Sequence, residues 1–238
     1  MDLSNEATRK ELATRPREEI VEILAKLTPA ELVATSRSVV KDLGVYEVKM
    51  TKEERVGTKV LPAQTIRVTM RESPRAARLE FIEGPSKGRK VLYNEEIKKR
   101  EMRVKEGGAL GFVGALWIGF DNPLARADTR HPVSDLGYGA LLDFFEKDLA
   151  TSAPHGGHSR KDLGFDAKGM WSVEFTAPPG VGGLEADRAK LTLDLLLGLP
   201  VQIEAHDKKG LLERHRYDFV KKQISVGADF FQPKAFGL

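Results

Sequence analysis

From Val45 onward the spacing of apolar side chains changes from about 3.6 residues to 2, and no other feature restricts the fold of this chain as much. In VYEVKMTKEERV, Tyr46, Val48 and Met50 alternate with Glu47, Lys49 and Thr51. In QTIRVTMRE, Ile66, Val68 and Met70 alternate with Thr65, Arg67, Thr69 and Arg71, and in ARLEFIE, Leu79 and Phe81 oppose Arg78 and Glu80. EGPSKGRK supplies glycine and proline for a turn before KVLYN and IKKREMRV. A second set follows in MWSVEF, KLTLDLLLGLP, PVQIEAHD and LLERHRYDFVKKQISV, with PGVGGLEADR as a hairpin connection. KLTLDLLL places Leu191, Leu193 and Leu195 on one face. Consecutive strands of this kind predict an antiparallel sheet with one wet face and one dry face.

The first 44 residues read as helical. After Pro16, REEIVEILAKL puts Ile20, Val21, Ile23, Leu24 and Leu27 on one side of a short helix, and residues 1–17 are a flexible or helical lead-in. Thr28, Pro29 and Glu31 form a capping-box pattern that starts a second helix, with Gly44 as its stop. A third helix is expected from Ser134 to about Leu149, and TSAPHGGHSRKDLGFDAKG reads as a loop with room for a short strand. The count is about ten or eleven strands and three helices, a mainly β (α+β) chain. It calls for one strongly curved antiparallel sheet with helices on its concave side, as a single domain over 1–238.

Composition excludes several classes. The 38 Lys and Arg nearly balance the 35 Asp and Glu and are spread along the chain, so no nucleic-acid footprint forms. With no cysteine there are no disulfides, thiolate nucleophiles or Cys-ligated zinc. The polar start MDLSNEATRKELATRPREE has no apolar core of a signal peptide; it reads literally as cytoplasmic, or as a mature segment whose signal peptide has been replaced by a Met. GGALGFVGALWIGF, residues 107–120, carries no charged or polar side chain, yet it falls short of the roughly 20 residues of a membrane-spanning helix. A helix would put Leu110, Val113 and Trp117 on one side, but five glycines argue for a strand, or a strand with a glycine-rich bend, apolar on both faces.

Reactive motifs are few. His155 and His158 in HGGH sit in a glycine-rich loop without a third ligand, GPSKGRK lacks phosphate-loop spacing, and no G-x-S-x-G elbow occurs. His131, before Pro132 and near a helix start, is either a loop anchor together with Arg130 or a ligand contact. The dry-face residues Tyr46, Met50, Met70, Phe81 and Met102 are core, or the large and adaptable lining of a pocket.

Two N-terminal helices, consecutive strands, the RAARLEF strand (Arg75 to Phe81), PVQIEAHDKKGLLERHRY (Pro200 to Tyr217) and the closing Phe230, Phe231, Pro233 and Phe236 together resemble the LolA-like superfamily of periplasmic lipoprotein carriers. DNPLARADTRHPVSDLG is most similar to its DUF1571 branch, and the resemblance spans roughly residues 18–236. It implies a half-open antiparallel β-barrel closed on one side by helices, whose hydrophobic cavity shields acyl chains in the periplasm. In carriers of that superfamily an early-strand arginine controls cargo release and a C-terminal extension directs transfer. Arg67 and Arg71 hold comparable positions, but neither aligns well enough to inherit that role.

The sequence is therefore read as a non-enzymatic, cofactor-free, monomeric binding protein for a lipoprotein acyl chain, a lipid or another amphiphile. Residues 45–120 and 170–220 would form the cavity wall and the first helices its lid. Its expected lining is Tyr46, Val48, Met50, Ile66, Val68, Met70, Leu79, Phe81, Phe112 and Trp117, with Trp117 touching the guest. Inner- or outer-membrane transfer proteins are its expected partners. The alternatives are an envelope interaction module with a filled core, or a hydrolase using His131 or the His155/His158 loop.

Overall fold

The computed structural model describes residues 3–238, apart from the side chains of 219 and 220. The capping signals read from the sequence place the N-terminal helices. Asn5 caps α1 (Glu6–Leu12) by accepting from the Ala7 amide at 2.8 Å, and α2 spans Arg17–Ala25. At α3 (Pro29–Lys41) the Glu31 amide donates to Thr28 Oγ1 at 3.2 Å and the Thr28 amide donates to Glu31 Oε2 at 2.7 Å, so the two residues cap each other.

Alternation becomes strand where one face is buried. The strands are β1 (Val45–Val56), β2 (Lys59–Val60), β3 (Gln64–Arg71), β4 (Ala76–Glu83), β5 (Lys90–Asn94), β6 (Glu101–Lys105) and β7 (Leu116–Gly119). They continue with β8 (Ser159–Phe165), β9 (Trp171–Thr176), β10 (Arg188–Asp194), β11 (Leu199–Asp207) and β12 (Gly210–Lys221). They form one twelve-stranded sheet in the order β7-β6-β5-β4-β3-β1-β12-β11-β10-β9-β8, with β2 paired to β1 off this path. From β7 to β1 and from β11 to β8 the neighbouring strands pair antiparallel, and among the described residues β7 and β8 end the path, so the sheet is open. The chain is thus α+β and mainly antiparallel sheet. The two-residue β2 has no alternation to betray it, and β8 is the strand for which the loop-like segment TSAPHGGHSRKDLGFDAKG left room.

Two compact units divide the chain. The first holds residues up to Asp42 and Leu141–Arg214. In it Trp171, Val173 and Phe175 of β9 and Leu193 of β10 bury against Leu12, Ile20, Leu24 and Leu32 of the helices, and Leu191 and Leu195 pack on the same cluster. The Phe145 ring lies tilted against Phe175, with centroids 5.1 Å apart. Arg160 of β8 donates to the Leu24 and Leu27 carbonyls at the end of α2, where free acceptors are expected. A recess of about 20 Å³ between Leu3, Leu12, Leu24, Leu32, Trp171 and Leu193 has room for about one water molecule.

The second unit holds Leu43–Ala140 and His215–Leu238. Here the expectation of a single dry face needs correction. The face opposite Tyr46 and Met70 is partly covered by the chain's own end, because Phe231 and Phe236 pack on Ala76 of β4 and Leu92 of β5, with Phe230 alongside. Phe236 ends α6 (Pro233–Phe236).

Two further boundaries differ from the reading. The helix expected at Ser134 begins at Tyr138 (α5, Tyr138–Ser152), because Gly137 has φ 101°, which a helix cannot contain; Val133–Asp135 forms a 3₁₀ turn instead. In 107–120 only β7 is strand. Residues Gly108–Val113 form a 3₁₀ helix bounded by Gly108 at φ 56° and Gly114 at φ 80°, left-handed backbone that interrupts a strand.

Candidate binding face

Register brings eight of the ten sequence-selected lining residues onto one surface of the second unit. Tyr46, Val48 and Met50 of β1 lie opposite Met70, Val68 and Ile66 of β3. On the other side of β3, Val68 faces Leu79 and Ile66 faces Phe81 of β4. All eight are 0% to 7% exposed. Strand period fixes this grouping, since every second residue projects to the same side.

The other two lie elsewhere. Phe112 belongs to the 3₁₀ helix, not to a strand, and is 85% exposed, so the apolar character of its segment does not translate into burial. Trp117 is half-buried on β7, with Lys98 Nζ 5.0 Å and the Arg103 guanidinium carbon 5.5 Å from its ring centroid. It is not sealed in a core.

Polar clusters bracket the apolar face along β1. At the N-terminal end the buried Tyr46 hydroxyl donates to Glu72 Oε1 at 2.5 Å, and Arg75 pairs with Glu72 Oε2 at 3.7 Å. Burial and the Glu72 charge push the Tyr46 phenol well above its ordinary value. The start of α5 is fastened here: the Tyr138 amide donates to Tyr46 Oη at 3.4 Å, and the Tyr138 ring lies 5.8 Å from Tyr46 and 5.1 Å from Tyr217. Gly137 permits that approach, since a Cβ there would fall 2.7 Å from Met70 Cε and 2.8 Å from Glu72 Oε1.

At the other end Lys52 and Glu54 continue the same phase of β1 into buried charge. Lys52 Nζ lies 3.2 Å from Glu54 Oε2 and donates to the Asp128 carbonyl at 3.3 Å. His215 Nε2 stands 3.3 Å from Glu54 Oε1. Burial alone would raise the Glu54 carboxyl, but His215 and Lys52 outweigh it and lower the group to about 2. The Arg130 amide donates to Glu54 Oε2 at 3.2 Å, and Arg126 donates to the Arg130 carbonyl at 2.7 Å. The TRHP segment is therefore tied to β1 through main-chain contacts at Arg130, and Thr129 Oγ1 donates to the His131 carbonyl at 3.1 Å.

The HGGH loop has a local role. His158 Nδ1 and Ser152 Oγ are 2.7 Å apart, and burial lowers the His158 pKa, whereas His155 is exposed at the end of a 3₁₀ turn. Ser152 Oγ also donates to the Leu149 carbonyl at 3.1 Å, and the residue is fully buried, so this pair closes a helix end and does not present a nucleophile. With both oxygens of Glu54 already engaged by His215, Lys52 and Arg130, that carboxylate too is a structural group.

The family model described as Protein of unknown function (DUF1571) matches residues 43–235. The chain belongs to the DUF1571 family. The match takes in the whole bracketed face. No curated protein matches the DUF1571 chain. Among solved structures it is similar to Mycobacterium tuberculosis lipoprotein LppX, with 13% identity, 84% of this chain and 100% of that one covered, and a TM-score of 0.47. It is also similar to the LolA superfamily protein NE2245 from Nitrosomonas europaea, at 9% identity, 88% and 99% coverage and a TM-score of 0.38. The MucA/MucB complex of Pseudomonas aeruginosa gives 16% identity, 86% and 60% coverage and a TM-score of 0.46. At such scores these likenesses are loose. No helix among the described residues is long and apolar enough to cross a membrane.

Proposed function

We propose that this DUF1571 protein is a non-enzymatic periplasmic binding protein that shields an acyl chain of a lipoprotein, a lipid or another amphiphile. The observation that carries the reading is the continuous apolar face of β1, β3 and β4, with polar groups confined to its two ends. Each CH₂ kept from water contributes roughly 0.8 kcal/mol, so such a guest is held by area and needs no catalytic group. Met50 and Met70 sit within the face and can adapt to a guest of variable length. The sequence motifs that resemble those of LolA-like carriers point the same way, and transfer proteins of the two membranes are the matching partners.

Because the eight side chains are buried, uptake requires something covering them to move. Tyr138, which packs on the face against Tyr46 and Tyr217, is one group that would have to move. The same burial favours a second reading, an envelope interaction module in which these residues are permanent core.

Native mass spectrometry of the purified protein, followed by titration with a fluorescent fatty acid, separates the two. A carrier retains an amphiphile or takes up the probe saturably, and unlabelled fatty acid displaces it. Protein that carries no amphiphile and takes up no probe overturns the carrier reading and leaves the interaction module.

A further inference from the structure

The apolar segment that the strand reading misplaced is the strongest unassigned feature of the surface. Phe112 is 85% exposed, and Leu110, Val113 and Leu116 are each more than half exposed, all within seven consecutive residues. The base of the segment packs against the 87–88 turn at Gly107, whereas side chains built on Gly108 or Gly114 would meet nothing within 4 Å. The tip, with left-handed glycines at both ends, offers these apolar side chains to solvent. Large apolar side chains clustered in solvent in this way mark an interaction site.

Chemistry behind the tip indicates what meets it. Trp117 follows on β7 and lies between Lys98 and Arg103. Of the nearby acids, Glu101 is paired with Lys98, Glu106 with Arg89 and Asp121 with Arg100. No carboxylate among the described residues pairs with Arg103 or Lys105. Apolar side chains at the apex, a half-buried tryptophan at the next level and surplus cations around it repeat, over a few residues, the layering of a bilayer interface from hydrocarbon to headgroup.

We infer that residues 108–116 form a membrane-docking tip that inserts Leu110, Phe112, Val113 and Leu116 into the surface of an anionic bilayer, with Trp117, Arg103 and Lys105 at headgroup level. The inference is independent of any cargo in the β1-β3-β4 face, and its test uses protein without added amphiphile.

The full chain is mixed with vesicles of phosphatidylcholine alone or phosphatidylcholine with phosphatidylglycerol, and binding is measured by co-flotation. Wild type is expected to float with the phosphatidylglycerol vesicles, more weakly as salt is raised. Leu110→Ser with Phe112→Ser is expected to weaken that binding by about tenfold or more while circular dichroism and thermal midpoint stay unchanged, since both side chains are exposed. Phe112→Trp is expected to keep binding and to show an added blue-shifted emission on vesicles. The inference is overturned if wild type floats with neither vesicle, or if the double serine variant floats as well as wild type. It is equally overturned if the tip mediates only self-association, seen as a dimer in sedimentation that the double variant abolishes without any vesicle binding.

Discussion

Phe236 is the contact on which the C-terminal segment depends, and its removal has a calculable effect. The ring is 7% exposed, with the Arg78 guanidinium carbon 4.4 Å and Lys90 Nζ 5.0 Å from its centroid. Burying a phenylalanine contributes about 1.5–3 kcal/mol, and each cation over the ring adds about 0.5–1 kcal/mol. Phe236→Ala therefore lowers the free energy holding this segment down by about 3 kcal/mol, which corresponds to about a hundredfold. The four-residue α6 has too few hydrogen bonds to stand alone, so the loss appears as local opening while the rest of the sheet keeps its stability. Native-state hydrogen exchange at the Gly237 and Leu238 amides, which donate to the Lys234 and Pro233 carbonyls, reads that opening directly. Exchange is expected to rise about a hundredfold, or to the unprotected rate if the segment's own stability is smaller, and by about tenfold in Phe236→Leu, which keeps most of the apolar area. Unchanged exchange at both amides in Phe236→Ala would refute the assignment of Phe236 as the anchor.

Three other outcomes follow from separate contacts. The Glu54 carboxyl, lowered from 4.5 to about 2, stabilises the fold in full above about pH 4.5, and that contribution is lost as pH falls toward 2; its size is about 3 kcal/mol. Urea unfolding of wild type and Glu54→Gln should converge across that window, and curves that stay parallel would show that the ion cluster is not what Glu54 contributes. Thr28→Ala removes the reciprocal cap of α3 and should cost about 1 kcal/mol in urea unfolding, with no cost if the exposed cap is replaced fully by water. Gly137→Ala combines φ 101° with a Cβ 2.7 Å from Met70 Cε and should cost about 2 kcal/mol or more, whereas Gly180→Ala, at φ 84° in open space, should cost about 1 kcal/mol; equal losses would mean that backbone strain alone matters.

What the sequence disclosed and what it hid follow from one physical distinction. Alternation at Tyr46, Val48 and Met50, and again at Ile66, Val68 and Met70, is legible because a single register places every second residue on the buried side. The capping box at Thr28 is legible because all its partners lie within four residues. Contacts between distant segments leave no such trace: Glu54 meets His215 across 161 residues, and Arg78 meets Phe230 and Phe236 of the chain's end. A signal for the first did exist. Lys52 and Glu54 continue the even phase of β1 onto its dry side, and two charges in that phase require buried partners. Phe230, Phe231 and Phe236, beyond the last strand, likewise required a surface to cover, and the supposedly wet side of β4 and β5 supplied it.

The 107–120 segment fails the same logic in reverse. Its lack of charge measures a preference for leaving water and says nothing about whether this chain supplies the burial. Gly108 and Gly114 turn the backbone out of the strand before β6 can pair with it, so only Leu116–Gly119 joins the sheet and Phe112 remains in solvent. Charge placed on a buried side and apolar groups placed on an exposed one are opposite departures from the same pattern. The first is compensated within the second unit by Lys52, His215 and Arg130, whereas the second leaves Leu110, Phe112, Val113 and Leu116 more than half exposed. An uncompensated departure of that kind is where an external phase is expected to complete the packing.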